Sequence, residues 1–98
     1  MNDVTITRQD GPQKGRYVAK VEGVEAEGEL IYSRVNPQLV IAEHTEVPDA
    51  LRGRALGRTL IARLVEDARA DGFKIIPLCP YTNAERQKHP EWADVFQN

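Results

Sequence analysis

The stretch LVIAEHTEVPDALRGRALGRTLIARLVEDARADGFKIIPLC, residues 39–79, decides the fold, because it holds two apolar runs separated by a helical stripe. Leu39 to Ala42 is apolar without alternation, which predicts a strand covered on both faces. From Leu56 to Gly72 the apolar residues recur every three or four positions, which predicts an amphipathic helix that ends at the glycine. Lys74 to Cys79 predicts a second buried strand. A helix that links two buried strands predicts a crossover connection and a parallel pair.

The segments on either side of this stretch predict the rest of the sheet and a second helix. Alternating residues predict strands over Val4 to Gln9, Arg16 to Val21 and Val24 to Val35, which form an antiparallel meander with one wet face. Tyr81 to His89 can form a helix ended by Pro90, after which Trp92, Val95 and Phe96 offer apolar groups for docking. The predicted fold class is therefore an α+β sandwich: a mixed, mostly antiparallel sheet with one parallel strand pair joined by a crossover helix.

Length and composition limit the classes of function. We expect one domain over residues 1–98, because the chain of 98 residues is too short for two cores. A net charge of -2 argues against a general nucleic-acid binder. The sequence has no run of 18 apolar residues and no signal-peptide pattern, so we expect a cytoplasmic protein without a membrane partner. One cysteine excludes an internal disulfide, and with only two histidines we expect no metal site. We favour a monomer.

The segment RGRALG, residues 52–57, places glycines and arginines where the central helix begins. Free backbone N–H groups at a helix N-terminus form a ready site for phosphate, and Gly53 and Gly57 would let an anion approach the backbone. Arg52, Arg54 and Arg58 would add positive charge. The plain alternative is a flexible connection whose arginines are simply solvated. That alternative accepts an unfavourable interaction between arginine and the helix dipole, so we favour the anion site.

Three segments together resemble the small members of the GNAT superfamily of acyl-CoA-dependent N-acetyltransferases: residues 43–72, PLCPY at 77–81, and HPEWADV at 89–95. The resemblance covers about residues 16 to 96, and it implies a GNAT-like acyl-CoA N-acyltransferase fold with acetyl-CoA as cosubstrate. In this superfamily the loop before the helix has the form Arg or Gln, any, any, Gly, any, Gly or Ala. Arg52, Ala55 and Gly57 occupy its three defined positions. The implied coenzyme A site consists of Arg52, Gly53, Arg54, Ala55, Leu56, Gly57 and Arg58.

Ala55 departs from the family pattern, which usually has glycine at this position. If the φ angle of Ala55 is negative, the methyl group costs nothing and stiffens the loop. If φ is positive, we expect affinity for the diphosphate to suffer.

His44 and Cys79 follow the two predicted buried strands, where ligands bind in sheets with parallel strands. A free imidazole titrates near pH ~6.5, so His44 can act as a general base at neutral pH. Cys79 could accept the acetyl group as a thiolate, or only line the site. The resemblance implies that both residues are functional. The plain alternatives are a hydrogen-bonded strand cap for the histidine and an inert buried thiol for the cysteine. Glu43 and Glu46 are the next candidate bases.

Further along the chain, Tyr81 could protonate the departing thiolate, but packing is the more common role of a lone aromatic residue. Asn83 is either a contact to the pantetheine arm or a helix N-cap. We treat His89 as structural. The predicted reaction is acetyl transfer to a primary amine, such as a protein lysine or a polyamine. The rivals are a non-catalytic acyl-CoA-binding or sensing module and a protein-interaction domain without a ligand.

Overall fold

The structure, a computed structural model, describes residues 4–97 and contains one five-stranded sheet with the strands in sequence order. The strands are β1 (Val4–Asp10), β2 (Lys14–Val21), β3 (Glu27–Asn36), β4 (Leu39–Glu46) and β5 (Lys74–Pro77). Neighbouring strands are antiparallel, except that β4 and β5 are parallel. The helices are α1 (Leu56–Asp71), which joins the parallel pair, and α2 (Pro80–Gln87). The predicted fold class is confirmed.

Helix α1 supplies most of the apolar layer over the sheet. Its fully buried Leu60, Ile61 and Leu64 pack in one cluster with sheet residues such as Leu30. Burying each such side chain stabilises the fold by about 1.5–3 kcal/mol. The helix ends as predicted at Gly72, whose φ of 80° suits a residue without a Cβ and whose N–H donates to the Ala68 carbonyl.

The helices lie on one face of the sheet, so the prediction that residues 39–42 are covered on both faces is wrong. Val40 and Ala42 are fully buried on the helix face, whereas Leu39 and Ile41 are only half-buried on the other face. On that face the cross-strand neighbours of Ile41 are Ser33 on β3 and Ile76 on β5. We call the face opposite the helices the outer face of the sheet.

Several predicted boundaries also differ from the structure. Strand β3 begins at Glu27 rather than Val24, although residues 24 and 26 still pack against the core. Strand β5 ends at Pro77, because the Leu78 N–H folds back to the Ile76 carbonyl and a helix starts at Pro80. Cys79 therefore lies beyond the strand, as the residue that caps α2. Helix α2 ends at Gln87, and a separate 3₁₀ turn spans Pro90–Trp92.

A β-bulge in β4 changes which face each side chain takes. Tyr32 pairs with Ala42, but its neighbour Ile31 pairs with His44, so Glu43 is the extra residue. Thr45 then pairs with the buried Leu30 and lies on the helix face, whereas His44 lies on the outer face. Pairing between β4 and β5 ends at Ala42 and Pro77, which leaves the last four residues of β4 beyond the parallel ladder.

The C-terminal segment lies along the free edge of β5. The Ile75 N–H donates to the Val95 carbonyl at 2.7 Å, and the Gln97 N–H donates to the Ile75 carbonyl at 2.8 Å. Phe96 forms an isolated parallel bridge with Ile75, and the nearly buried Trp92 joins the core. As predicted from their apolar character, these aromatic residues close the core.

An aromatic and charged cluster ties the opposite edge of the sheet to α1. The Arg8 guanidinium lies over the rings of Tyr17 and Tyr32, 5.7 and 5.9 Å from the centroids. Arg8 also donates to Asp67 on α1 at 3.3 Å, and the Tyr17 hydroxyl donates to the same carboxylate at 2.6 Å. Asp10 accepts from the Tyr32 hydroxyl. These contacts hold β1 and β2 against the helix.

Within residues 4–97, neither helix has the length and apolar character needed to span a membrane.

Candidate functional site

The loop between β4 and α1 has an unusual backbone conformation at two positions. After a 3₁₀ turn over Asp49–Leu51, Gly53 has a φ of 85° and Ala55 has a φ of 56°. Ala55 is the one non-glycine residue with positive φ among residues 4–97. The left-handed region costs an L-residue about 1–2 kcal/mol, which explains why glycine is the usual residue at this position of the resembling family. Of the two alternatives that the sequence left open for Ala55, the structure has the one with positive φ.

The N-terminus of α1 has free N–H groups, with neither a capping side chain nor an acidic residue to interact with them. Its first backbone bond runs from the Thr59 N–H to the Ala55 carbonyl at 3.0 Å, so the amides of residues 56–58 have no acceptor within the helix. No side chain caps the helix, and its first turn contains no acidic residue. The Thr59 hydroxyl also donates to the Ala55 carbonyl, at 2.9 Å, rather than accepting from an amide.

Unpartnered basic side chains are concentrated around this helix N-terminus. Of the thirteen lysine and arginine side chains, three make no hydrogen bond or ion pair with residues 4–97: those of Arg54, Arg58 and Lys88. Arg52 is paired with Asp49 at 2.9 Å, but both side chains are largely exposed. Positive charge therefore collects where the helix dipole is already positive, which is unfavourable unless an anion binds there.

A cavity of about 370 Å³ opens beside the loop. It brings together much of the predicted coenzyme A site, but Arg54 is not among its lining residues and Arg58 lines a neighbouring groove instead. The sequence did not predict Thr45, Val47 and Leu51 as lining residues, because they reach the cavity only through the β-bulge and the 3₁₀ turn. The lining residues are Thr45, Val47, Leu51, Arg52, Gly53, Ala55, Leu56, Gly57 and Tyr81.

Tyr81 lies directly over Gly57 at one side of the cavity. A Cβ at position 57 would overlap the Tyr81 ring and hydroxyl, which gives a physical reason for glycine in the first turn of α1. The tyrosine is 44% exposed. Partial burial and the nearby Glu85 carboxylate raise the pKa of its phenol, although Arg58 acts in the opposite direction. Tyr81 therefore packs on the loop and also presents a protonated hydroxyl beside the cavity.

Cys79 is 4% exposed and sits among hydrogen-bond donors at the start of α2. Burial raises the pKa of its thiol, but hydrogen bonds from the Thr82 and Tyr81 backbone and from the Thr45 and Thr82 hydroxyls outweigh that effect. The net pKa lies below the ordinary value, as is usual for a thiol at a helix N-terminus. Its Sγ lies 3.9 Å from the Thr45 hydroxyl, which places it on the helix face of the sheet. The residue lines neither the cavity nor the groove.

His44 lies on the other side of the sheet from Cys79. Its side chain is 58% exposed, and its Nε2 is 3.7 Å from a Glu46 carboxylate oxygen. Of the other candidate bases, Glu43 accepts a hydrogen bond from Ser33 at 2.7 Å and lies 3.7 Å from Lys14. Strands β4 and β5 are neighbours, as predicted, but the two predicted catalytic side chains flank the end of the parallel ladder from opposite faces.

Asn83 does not take the N-cap position proposed as one of its alternatives. It lies within α2, where its N–H donates to the Cys79 carbonyl at 2.9 Å and its side-chain oxygen accepts from Arg86 at 2.9 Å. It lines neither the cavity nor the groove, so its role toward pantetheine stays a prediction. His89 stacks on Trp92 with ring centroids 4.0 Å apart.

Residues 4–97 contain no group of three or more histidine, cysteine, aspartate or glutamate side chains arranged to hold a metal ion.

Comparisons with known proteins identify the family of this chain and agree with its fold. The sequence model of the GCN5-related N-acetyltransferase family matches residues 16–95. The chain belongs to this family. A GCN5-like protein of Staphylococcus aureus, solved by NMR in solution, is 28% identical and superposes with a TM-score of 0.73, covering 100% of this chain and 92% of that chain. The aminoglycoside N-acetyltransferase AAC(6')-Iy, solved in complex with CoA, shares the fold at 20% identity with a TM-score of 0.55, covering 91% of this chain and 63% of its own.

Relatives are also found among curated proteins. Protein NATD1 of Mus musculus is 27% identical over 78 residues, which cover 80% of this chain and 71% of the relative. Protein NATD1 of Homo sapiens is 26% identical over 78 residues, which cover 80% of this chain and 69% of the relative.

Proposed function

We propose that this member of the GCN5-related N-acetyltransferase family transfers an acetyl group from acetyl-CoA to a primary amine. The observation that carries the proposal is the N-terminus of α1. Its amides lack acceptors, its first turn lacks an acid, and the basic side chains without partners collect beside it. A bound diphosphate supplies both the acceptors and the negative charge that this end of the helix lacks.

The backbone between Gly53 and Arg58 would hold the diphosphate of acetyl-CoA. The side chains of Arg54 and Arg58 have no hydrogen bond or ion pair within residues 4–97 and would add charge without breaking an existing ion pair. The pantetheine arm would follow the cavity past Val47 and Tyr81 toward the end of the parallel ladder. No metal takes part in this scheme.

The reaction would occur where β4 and β5 part. A thioester entering from the helix face would reach the region beyond Ala42 and Pro77, while the amine would approach from the outer face, where His44 lies. The amine nitrogen attacks the thioester carbon, and a backbone N–H of β4 would stabilise the oxyanion, a type of contact that contributes ~10² to 10³ in rate. His44 takes the ammonium proton, directly or through water. The C–S bond then breaks and the coenzyme A thiolate leaves, with Tyr81 as its proton donor.

Cys79 offers a second route. Its thiolate attacks the thioester carbon and displaces the coenzyme A thiolate, and the amine then attacks the acetyl-cysteine and releases the Cys79 thiolate. The lowered pKa of its thiol supports this route, while its 4% exposure favours direct attack. Mass spectrometry after mixing with acetyl-CoA separates the two. A protein adduct of one acetyl group that disappears in Cys79→Ala supports the relay, and turnover by Cys79→Ala without an adduct supports direct attack.

The acceptor amine is best carried by a cationic molecule such as a protein lysine or a polyamine. Glu46 lies on the outer face, 3.7 Å from His44, while its cross-strand partner Glu29 is paired with Arg16 at 3.1 Å. The exposed Glu46 carboxylate would attract an ammonium group to this side of the sheet.

A charge placed in the first turn of α1 tests the diphosphate site. Thr59→Glu adds a carboxylate next to the free amides, so it should raise helix stability by about 0.3–1 kcal/mol and weaken coenzyme A binding by about tenfold. Ala70→Glu is the matched control, because it adds the same charge at the exposed opposite end of α1. It should leave coenzyme A binding unchanged and slightly lower stability. Calorimetric titration and thermal unfolding measure both effects, and equal binding by the two variants would refute the site.

A non-catalytic acyl-CoA-binding module is the second candidate. It is favoured by the finding that neither His44 nor Cys79 lines the cavity or the groove. Release of free thiol from acetyl-CoA that depends on an added amine, and that falls in His44→Gln, supports the transferase. Binding of acetyl-CoA with thiol release no faster than the hydrolytic blank across a panel of amines supports the module.

A further inference from the structure

A groove of about 350 Å³ separates the N-terminus of α1 from α2. It is a distinct space from the cavity described above, but the two share Ala55 and Tyr81 as a common wall. A ligand anchored at the free amides of α1 can therefore extend into either one. The residues that line the groove are Ala55, Arg58, Tyr81, Glu85, Lys88 and His89.

The net charge available to a ligand in this groove is positive. Arg58 from α1 and Lys88 from the end of α2 line it, and neither side chain has a hydrogen bond or ion pair within residues 4–97. The one carboxylate in its wall, Glu85, is occupied, because His89 Nε2 lies 3.2 Å from it. Two of the three basic side chains without a partner among the described residues thus line a single groove.

This arrangement fits a second phosphate better than a neutral group. The diphosphate of a nucleotide carrier accounts for the amides of α1, but it does not account for Lys88, which follows α2 and lines the groove and not the cavity. A phosphate monoester attached to the same nucleotide would account for it. Coenzyme A carries such a group on the 3′ oxygen of its ribose.

We infer that the groove between α1 and α2 binds the 3′-phosphate of coenzyme A through Arg58 and Lys88, and so selects the 3′-phosphorylated carrier over dephospho-coenzyme A. This inference rests on the proposed use of acetyl-CoA and adds a specificity determinant to it. Exposed pairs of this kind are worth little individually, so two of them give about five- to tenfold discrimination at low salt. The discrimination shrinks as salt rises, because screening weakens exposed charge pairs.

The test compares the dissociation constants of coenzyme A and dephospho-coenzyme A at about 50 mM salt, by calorimetry on the full chain. The wild-type protein should bind coenzyme A about five- to tenfold more tightly. Lys88→Ala should weaken coenzyme A binding about threefold while leaving dephospho-coenzyme A unchanged, and adding Arg58→Ala should bring the ratio close to one. Lys20→Ala is the control, because it removes an exposed lysine that is paired with Glu27 on the sheet, and it should keep the wild-type ratio.

Each other result counts against the inference in its own way. Equal binding of both ligands by the wild-type protein overturns the 3′-phosphate site and leaves the proposed function standing. A loss in Lys88→Ala that is equal for both ligands also overturns it, since the lysine would then act on the whole ligand. Failure of the wild-type protein to bind either ligand overturns the proposed function and this inference together.

Discussion

Replacing Ala55 by glycine should make the protein more stable, although alanine-to-glycine changes usually destabilise. The structure gives Ala55 a φ of 56° and a ψ of 33°, in the left-handed region. The conformation costs alanine about 1–2 kcal/mol relative to glycine. Glycine also makes the unfolded chain more flexible, which lowers the free energy of unfolding by about 0.4–1 kcal/mol and offsets part of this gain. The net expectation is a gain of about 0.5–1 kcal/mol, which raises the melting temperature by roughly 3–6 °C in a domain of this size.

Ala70→Gly is the matched control for this prediction. Ala70 is exposed in the last turn of α1, so glycine there should lower stability by about 0.5–1 kcal/mol. Thermal and urea unfolding of the three proteins measure the two changes, which should have opposite signs. If Ala55→Gly lowers stability as Ala70→Gly does, Ala55 does not have positive φ in solution and the strain argument is wrong. The glycine variant should also bind coenzyme A about two- to fivefold more tightly, since it removes a methyl group beside the amides.

Two further predictions concern titrating groups. Thr82→Val removes a hydroxyl that lowers the pKa of Cys79. Thiolate absorbance near ~240 nm should therefore appear at higher pH in this variant than in Thr82→Ser, which keeps the hydroxyl. Identical titrations of the two variants would contradict the hydrogen bond between Thr82 and Cys79. Burial raises the pKa of Asp10, but hydrogen bonds from Tyr32 and Arg34 lower it to a net value below its ordinary range. The stability that this carboxylate confers is therefore complete above its unfolded pKa of ~3.9, and it is lost as the pH falls through the folded pKa. The difference in unfolding free energy between wild type and Asp10→Asn should shrink below about pH 4. A difference that stays constant down to pH ~2 would show that the hydrogen bonds do not stabilise the charged form.

Local patterns in the sequence were sufficient to predict the elements and their order. The alternation in Arg16 to Val21 and the spacing of Leu60 and Leu64 depend only on which face is buried, and the structure buries those faces. The covered strand at 39–42 was predicted wrongly for the same reason. An apolar run indicates low exposure but does not say whether a helix or neighbouring strands provide the cover.

The candidate site could be predicted only where its chemistry is local. The loop from Gly53 to Gly57 is recognisable because the glycines and arginines are adjacent in sequence. The bulge at Glu43 puts His44 on the outer face and Thr45 on the helix face, which is the reverse of regular alternation from Ala42. It depends on pairing with a distant strand and leaves no sign in the sequence. Lys88 was missed in the same way, because its relation to the loop exists only after α2 has packed beside α1.

The bonds between Ile75 and the segment from Val95 to Gln97 have a consequence for self-association. An open strand edge is a template on which a second molecule can pair and begin to aggregate. Here the chain occupies that edge with its own last described residues, held in place by the Arg69 guanidinium, which binds Asp94 at 2.7 Å. A segment of only a few residues therefore occupies the edge at which another strand could pair, and a change that loosens residues 95–97 would uncover the backbone of Ile75.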